Sequence, residues 1–193
     1  MLLEMHLHHV APEDTITLGL DCGLGSTGLA IVRGPVDAPT MLYGQTILTK
    51  PAKGTAERKS FDDTRRLGII GENVMIIMRE FCPHAAGLEF FMPYPGRGKG
   101  SWKVGMCYGL ALGLCRAMTV PVYAQLPIDV KYGVAGVKTA GKAEITARIL
   151  EAMPSMGVYL SRTSPSRQEH IADAAGHALL AMRSLLAGTD PHV

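Results

Sequence analysis

One stretch of sequence decides the fold: Ile16-Thr17-Leu18-Gly19-Leu20-Asp21-Cys22-Gly23-Leu24-Gly25-Ser26-Thr27-Gly28-Leu29-Ala30-Ile31-Val32. Two apolar runs typical of β-strands flank a glycine-rich turn, and a carboxylate, Asp21, stands where the first run ends. The glycines let the chain reverse at positive φ, and they let a ligand approach a backbone without side chains. The pattern therefore predicts a hairpin that presents a carboxylate at a strand end.

This hairpin suits two kinds of protein. One is an RNase H-like nuclease, in which Asp21 would be the first metal-binding aspartate. The other is the group of ATPases that includes actin, Hsp70 and the sugar kinases, which grip phosphate with a similar hairpin. The ATPase fold needs two lobes, each with such a sheet, whereas 193 residues hold one ordinary domain. The length therefore favours the nuclease.

Composition indicates a globular domain with an uneven charge distribution. Hydrophobic residues make up 47% of the chain, which suffices for a core and excludes a disordered adaptor. The formal net charge is only +2. Two basic stretches nevertheless stand out, at residues 50–66 and 97–148, and the second holds only two acids, Asp129 and Glu144. Single lysines are usually solvated, but together these residues predict a phosphate-facing side.

The cysteines indicate the cellular compartment, and the terminal segments indicate the limits of the domain. Cys22, Cys82, Cys107 and Cys115 lack zinc-like spacing, so buried reduced thiols are expected. No secretory leader and no run of about 18 apolar residues is evident. We expect a soluble protein without a membrane partner, in a reducing, cytoplasmic or nucleoid-like compartment. We also expect a loose extension over residues 1–14, one nuclease domain over 15–187 and a tail over 188–193.

Strands and helices alternate along this domain. The first three strands, joined by short turns, predict an antiparallel meander over Thr15–Asp21, Thr27–Arg33 and Met41–Leu48. Apolar periodicity and capping signals predict the later elements. These are a helix over Phe61–Phe81, a strand over Ala85–Met92, a helix over Trp102–Met118, a strand over Val120–Gln125, and helices over Lys142–Met153 and Ser166–Ala187. The order predicts an α/β fold in which helices flank a mixed five-stranded sheet.

Further polar residues stand out in apolar surroundings. Glu89 lies within the predicted fourth strand, where burial is costly unless the carboxylate binds a metal or a cation. Alternation that turns Glu89 to solvent explains it equally well. In the last helix, spacing places His170, Asp173 and His177 near one face, which could lay ligands against the sheet. For His177, which lies deeper in an apolar segment, we expect a core role or support behind the ligands.

Four blocks in order resemble the RuvC family of Holliday junction resolvases. They are Leu18–Gly28, Gly87–Met92, Val130–Lys142 and His170–Ala175. Each short pattern recurs by chance, but four in sequence, spanning about residues 15–187, rarely do. The resemblance implies an RNase H-like fold, a homodimer and metal-dependent paired nicking of four-way DNA junctions. The segment Gly100–Gly109 is more similar to phage and organellar members, which would allow a phage protein acting in its host's cytoplasm.

The resemblance also implies the metal site and its chemistry. The implied ligands are Asp21, Glu89, His170 and Asp173, around two Mg²⁺ ions. Most relatives have aspartate where His170 stands, and imidazole suits Mn²⁺ better than Mg²⁺, so Mn²⁺ is a plausible alternative. Two such ions activate a water and stabilise the leaving oxygen of a phosphodiester. Lys142 is expected to offset charge on the pentavalent phosphate and completes the catalytic set.

Residues that contact DNA are expected around this site. They are Phe91, Met92, Arg97, Lys99, Lys103, Lys131, Lys138 and Lys142. Lys131 and Lys142 correspond to the two lysines that the family places near the scissile phosphate. The small residues of the Trp102–Met118 helix are a candidate dimer contact, although packing on the sheet explains them too.

Two other functions remain open at the level of sequence. The first is another RNase H-like nuclease, acting on flaps, other branched DNA or RNA–DNA hybrids, which the same metal site would serve equally well. The second is a phosphate- or nucleotide-binding module without enzymatic activity, in which Asp21 serves the nucleotide's metal. The lack of a second lobe counts against this module. No sequence feature identifies a branch-migration partner.

Overall fold

A computed structural model describes residues 11–52, 59–91 and 101–191. A 3₁₀ turn, Pro12–Asp14, precedes the domain. The strands are β1 (Ile16–Asp21), β2 (Ser26–Arg33), β3 (Thr40–Leu48), β4 (Ala85–Glu89) and β5 (Val122–Gln125). The helices are α1 (Lys59–Phe81), α2 (Ser101–Ala117), α3 (Pro127–Ala135), α4 (Lys142–Ala152), α5 (Met156–Ser161) and α6 (Pro165–Leu186). None of the helices in these ranges is long and apolar enough to cross a bilayer.

The five strands form one mixed sheet in the order β3-β2-β1-β4-β5. The first three strands pair antiparallel as a meander, and β4 and β5 join parallel to β1. The predicted α/β fold with a mixed five-stranded sheet is therefore confirmed. Because β1, β4 and β5 run in the same direction, their carboxyl ends meet at one edge of the sheet, which is where β2 begins.

Alternation along β1 assigns its side chains to the two faces of the sheet. Leu18 and Leu20 are fully buried in the apolar cluster that α1 and α2 form on one face. Thr17 faces the other side, because its hydroxyl donates a hydrogen bond of 2.9 Å to the carbonyl of Ala178 on α6. Asp21 shares the parity of Thr17, so this carboxylate belongs to the α6 side of the sheet.

Helix α6 lies directly on the strand backbones because glycines face it. A Cβ atom on Gly19 of β1 would stand 1.8 Å from the carbonyl oxygen of Ala174. A Cβ on Gly28 of β2 would stand 1.9 Å from the carbonyl oxygen of His170, and Gly87 on β4 makes a similarly close approach. Side chains larger than hydrogen have no room there. The glycines therefore determine how closely α6 packs on the sheet near the carboxyl ends of β1 and β4.

The structure corrects several sequence-based expectations. Helix α3 was not predicted; it begins with a proline, and the Asp129 carboxylate caps it by accepting a 2.8 Å bond from the Leu126 N–H. The short helix α5 was also missed, since six residues give too little apolar periodicity. Cys82 is exposed in the turn after α1, so burial is wrong for this thiol, whereas the other three cysteines are buried as expected.

The end of β4 changes the interpretation of Glu89. The predicted strand continued to Met92, which placed Glu89 in its interior, but β4 ends at Glu89. The reason is that its neighbour β5 ends at Gln125, the register partner of Glu89, and leaves no strand for later residues to pair with. Glu89 thus occupies a strand end, as Asp21 does.

Candidate active site

Two carboxylates end neighbouring parallel strands. Asp21 is the last residue of β1 and Glu89 the last residue of β4, and the strands are in register up to the preceding pair, Leu20 and Leu88. Glu89 has the parity of Gly87, which lies against the backbone of α6. Both carboxylates therefore belong to the face that α6 covers. Glu89 is partly exposed, so its role as a ligand stays a prediction beside the alternative in which it turns to solvent.

Helix α6 places an imidazole directly on the first carboxylate. The Nδ1–H of His170 donates a hydrogen bond of 2.7 Å to Oδ2 of Asp21. The other ring nitrogen, Nε2, lies 2.9 Å from Oγ of Ser26, the first residue of β2. The hydrogen bond to Asp21 raises the pKa of His170, and partial burial opposes this effect. The imidazole is thus held between the ends of two adjacent strands.

One turn further along α6, Asp173 also lies near the Asp21 carboxylate. Burial raises the pKa of this carboxyl, and the negative charge of Asp21 raises it further, while the ammonium of Lys142 opposes both. Nζ of Lys142 lies 3.7 Å from Oδ2 of Asp173 and 3.0 Å from Oε2 of Glu169. The hydrogen bond to Glu169 raises the pKa of Lys142. The lysine side chain is 67% exposed, so its ammonium is accessible from solvent.

The chemistry of these donors fits a divalent cation. The negative charge of Asp21 contributes to the raised pKa of Asp173, and a bound cation would relieve this repulsion. Hard oxygen ligands from separate elements suit Mg²⁺ and Mn²⁺. In the described ranges, no three acidic, histidine or cysteine side chains already surround a common metal position. Asp21 is instead hydrogen-bonded to His170. A cation bound by Asp21 would therefore either use Oδ1 or replace the hydrogen bond from the imidazole.

Comparison with known proteins decides the family. The chain is 30% identical over 168 residues to the crossover junction endodeoxyribonuclease RuvC of Thermus thermophilus, covering 85% of this chain and 91% of that relative. The chain belongs to the RuvC family. A RuvC of Hydrogenovibrio crunogenus is 25% identical over 174 residues, which cover 90% of this chain and 91% of that protein. No family model matches.

Solved structures agree with this membership. T. thermophilus RuvC in complex with a Holliday junction substrate superposes with a TM-score of 0.72 at 27% identity, covering 92% of this chain and 99% of that one. The yeast mitochondrial Holliday junction resolvase Ydc2 gives a TM-score of 0.63 at 14% identity, over 91% and 82% of the two chains, and so shows the shared fold alone. The predicted RuvC resemblance is confirmed, whereas the closer likeness to phage and organellar members stays a prediction.

The predicted DNA-contacting residues of this RuvC family member have different surroundings. Nζ of Lys103 lies 2.9 Å from Oδ1 of Asp63, so without DNA this lysine already has an acidic partner. Phe91 is partly buried, with its ring against Gly105 at the start of α2. Lys131 lies on α3, and Lys138 is exposed between α3 and α4. Three predicted contacts lie outside the described residues: Met92, Arg97 and Lys99.

A buried arginine behind the site was misjudged at the sequence level. Arg66 belongs to the basic stretch that was expected to face phosphate, yet it is only 6% exposed. Its Nε donates to Oγ1 of Thr49 at 2.9 Å, its Nη2 to the carbonyl of Leu24 at 3.2 Å, and its Nη1 to Asp63 at 3.4 Å. These contacts tie the turn after Asp21 to α1 and to the end of β3. The expectation is therefore wrong for Arg66, which supports the hairpin instead.

A second histidine of α6, His177, is buried and hydrogen-bonded, as expected for a core residue. Nδ1–H of His177 donates to Oε1 of Gln125 at 2.8 Å, and Nε2 of Gln125 donates to the His177 carbonyl at 3.2 Å. Burial lowers the pKa of His177 to about 4. Gln125 was missed because its importance comes from the register that places it beside Glu89.

We expect His177 to make the fold sensitive to acid. Its pKa is about 4 in the folded protein against 6.5 for a free imidazole, so the unfolded chain takes up the proton first. The stability gained from the neutral ring is complete above pH 6.5 and is lost as the pH falls toward 4. Urea unfolding at pH 7.5 and pH 5 measures this loss, and His177→Gln should reduce it. An unchanged pH dependence in His177→Gln would assign the acid sensitivity to other groups.

Proposed function

We propose that the protein is a structure-selective endonuclease that resolves four-way (Holliday) DNA junctions by paired, metal-dependent phosphodiester hydrolysis. The observation that carries the proposal is the position of Asp21 and Glu89 at the ends of neighbouring parallel strands, with His170 and Asp173 of α6 near Asp21 and Lys142 beside Asp173, in a member of the RuvC family. The relatives' names support this substrate: they are crossover junction endodeoxyribonucleases, and one has been solved with a Holliday junction.

The residues of this chain divide the chemistry between them. Asp21, Glu89 and Asp173, with His170, would hold two Mg²⁺ or Mn²⁺ ions, which activate a water and stabilise the leaving 3′-oxygen. Lys142 can exchange Glu169 for a phosphate oxygen, because its ammonium is largely solvated in the free protein. His170 fixes the orientation of the Asp21 carboxylate. The glycine contacts of α6 hold His170 and Asp173 close to the end of the sheet that carries Asp21 and Glu89.

A homodimer would match the near two-fold symmetry of a four-way junction, because it presents one site to each of two opposed strands. Helix α2 is our candidate contact. Cys107 and Ala111 are buried against the core on one side of this helix. On another side, Gly109 and Gly113 are exposed, and a Cβ atom on either would meet nothing within 4 Å. A second α2 could therefore approach closely there. A DNA junction as substrate also places the protein with the DNA, in the cytoplasm or nucleoid.

The decisive experiment offers several DNA substrates side by side. Mobile and immobile four-way junctions, flaps, splayed arms, RNA–DNA hybrids and linear duplex are incubated with the protein and Mg²⁺ or Mn²⁺. We expect the protein to be a dimer in solution and to cut the junctions by two symmetric nicks that leave ligatable ends. A monomer that nicks one strand, or a preference for flaps or hybrids, would overturn the proposal in favour of another RNase H-like nuclease.

We expect His170→Asp to retain cleavage and to change the metal preference. A carboxylate is a harder ligand than imidazole, so the ratio of Mg²⁺- to Mn²⁺-supported activity should rise, on the order of tenfold. Cleavage rates across a titration of each metal measure this ratio, with His170→Ala as the control. A folded but inactive His170→Asp protein would indicate proton transfer by His170 instead, and full activity of His170→Ala would remove this residue from the site.

A further inference from the structure

We propose that Ser26 is a positioning residue that fixes the imidazole of His170 in one orientation within the metal site. The inference rests on the proposed function, because it assigns His170 to that site. Ser26 itself would touch neither the metal nor the DNA in this role. It would act through the ring that lies between it and Asp21.

Two hydrogen bonds on opposite sides hold the ring. Nε2 of His170 lies 2.9 Å from Oγ of Ser26, and Nδ1 lies 2.7 Å from Oδ2 of Asp21. A ring flip would exchange nitrogen and carbon positions and lose both bonds at once. If a cation takes the place of the Nδ1 contact, the bond to Ser26 still fixes the ring. In metal sites the group that binds the second nitrogen of a histidine ligand has this function.

The backbones on both sides of this contact also lie close together. Gly28 lies two residues after Ser26 on β2, on the same face, and a Cβ atom there would be 1.9 Å from the His170 carbonyl oxygen. Helix α6 therefore cannot move away from β2 at His170 without losing close backbone contact. This close approach brings the His170 imidazole within hydrogen-bond distance of the Ser26 hydroxyl.

A hydroxyl is chemically suited to this position. It can donate to Nε2 when that nitrogen carries no proton, and it can accept from Nε2–H when it does. Ser26 can therefore keep the ring in place in either state of the imidazole. A simpler interpretation is that the bond only ties β2 to α6. Thr46 provides a control for this simpler interpretation, because its hydroxyl also ties a strand to α6. Oγ1 of Thr46 on β3 donates a hydrogen bond of 2.9 Å to the Arg167 carbonyl on α6.

The test measures Mn²⁺ binding directly, by electron paramagnetic resonance titration of the full-length protein without DNA. We expect Ser26→Ala to weaken Mn²⁺ binding about tenfold, within the range found for groups that orient metal ligands. Ser26→Thr should restore binding, and Thr46→Val should bind like the wild type. In a His170→Ala background, Ser26→Ala should have no additional effect, because its role requires the imidazole.

The outcomes separate this inference from the proposed function. Equal Mn²⁺ affinity of wild type and Ser26→Ala, or a full effect of Ser26→Ala without His170, would overturn the positioning role. Junction cleavage by the wild type would still support the proposed function in that case. Conversely, a wild-type protein that binds Mn²⁺ but cuts no branched DNA would overturn the proposed function. The Mn²⁺ affinities of the wild type and Ser26→Ala would still decide the role of Ser26.

Discussion

We expect Asp21→Asn to abolish DNA cleavage while the protein still binds four-way junctions as tightly as the wild type or more tightly. The amide has the size of the carboxylate and can still accept the hydrogen bond from His170. It is, however, a much poorer ligand for a divalent cation. A loss of several kcal/mol of transition-state stabilisation corresponds to a rate reduction of roughly 10³-fold or more. Binding is preserved because the change removes a negative charge that repels phosphate.

Single-turnover cleavage and gel-shift binding on the same junction test this expectation. Asp37→Asn is the matched control, since this carboxylate is exposed in the turn between β2 and β3, at the opposite edge of the sheet. Thermal unfolding of both variants shows whether the fold is intact. Wild-type-like cleavage by a folded Asp21→Asn protein would contradict the metal site as proposed.

We expect Gly19→Ala to be among the most damaging single substitutions in the chain. The new methyl group would stand 1.8 Å from the carbonyl oxygen of Ala174 and 2.7 Å from the backbone nitrogen of Ala178. Neither atom belongs to a flexible side chain, so α6 or β1 must shift. Overpacking usually costs about 1–3 kcal/mol, and a backbone clash in the centre of the domain should reach or exceed the upper end.

Gly68→Ala is the control for this substitution. Gly68 is exposed on α1, and a Cβ atom there would meet nothing within 4 Å. Alanine should therefore stabilise the helix, by about 0.5–1 kcal/mol. Urea unfolding of the two variants measures the contrast. A Gly19→Ala protein as stable as the wild type would mean that α6 does not lie as close to β1 as the glycine contacts require.

The parts of the site that sequence could predict are those set by local pattern. An apolar run that stops at a carboxylate indicates a strand end, and this pattern predicts the position of Asp21. The spacing of His170 and Asp173 indicates one helical face in the same way. The approach of His170 and Asp173 to Asp21 depends on glycines in three strands. Local pattern does not show this approach, whereas the four blocks that resemble the RuvC family predict it.

Residues whose role depends on a distant partner could not be assigned from sequence. Lys103 looks like any solvated lysine until the fold brings Asp63 to it from α1. Arg66 lies in a basic stretch, and its burial follows only from the packing of α1 under the hairpin turn. Ser26 was part of the decisive stretch, but nothing local shows that its hydroxyl meets an imidazole 144 positions away.

The buried arginine also determines how the protein should respond to ionic strength. Dissolved ions weaken DNA binding because the release of counterions from DNA becomes less favourable as the salt concentration rises, but they screen buried pairs much less than exposed ones. The contacts of Arg66 with Asp63, Thr49 and Leu24 are buried. The turn after Asp21 should therefore keep its shape at salt concentrations that remove the DNA. Concentrated salt would thus separate enzyme from product without disturbing the backbone around Asp21.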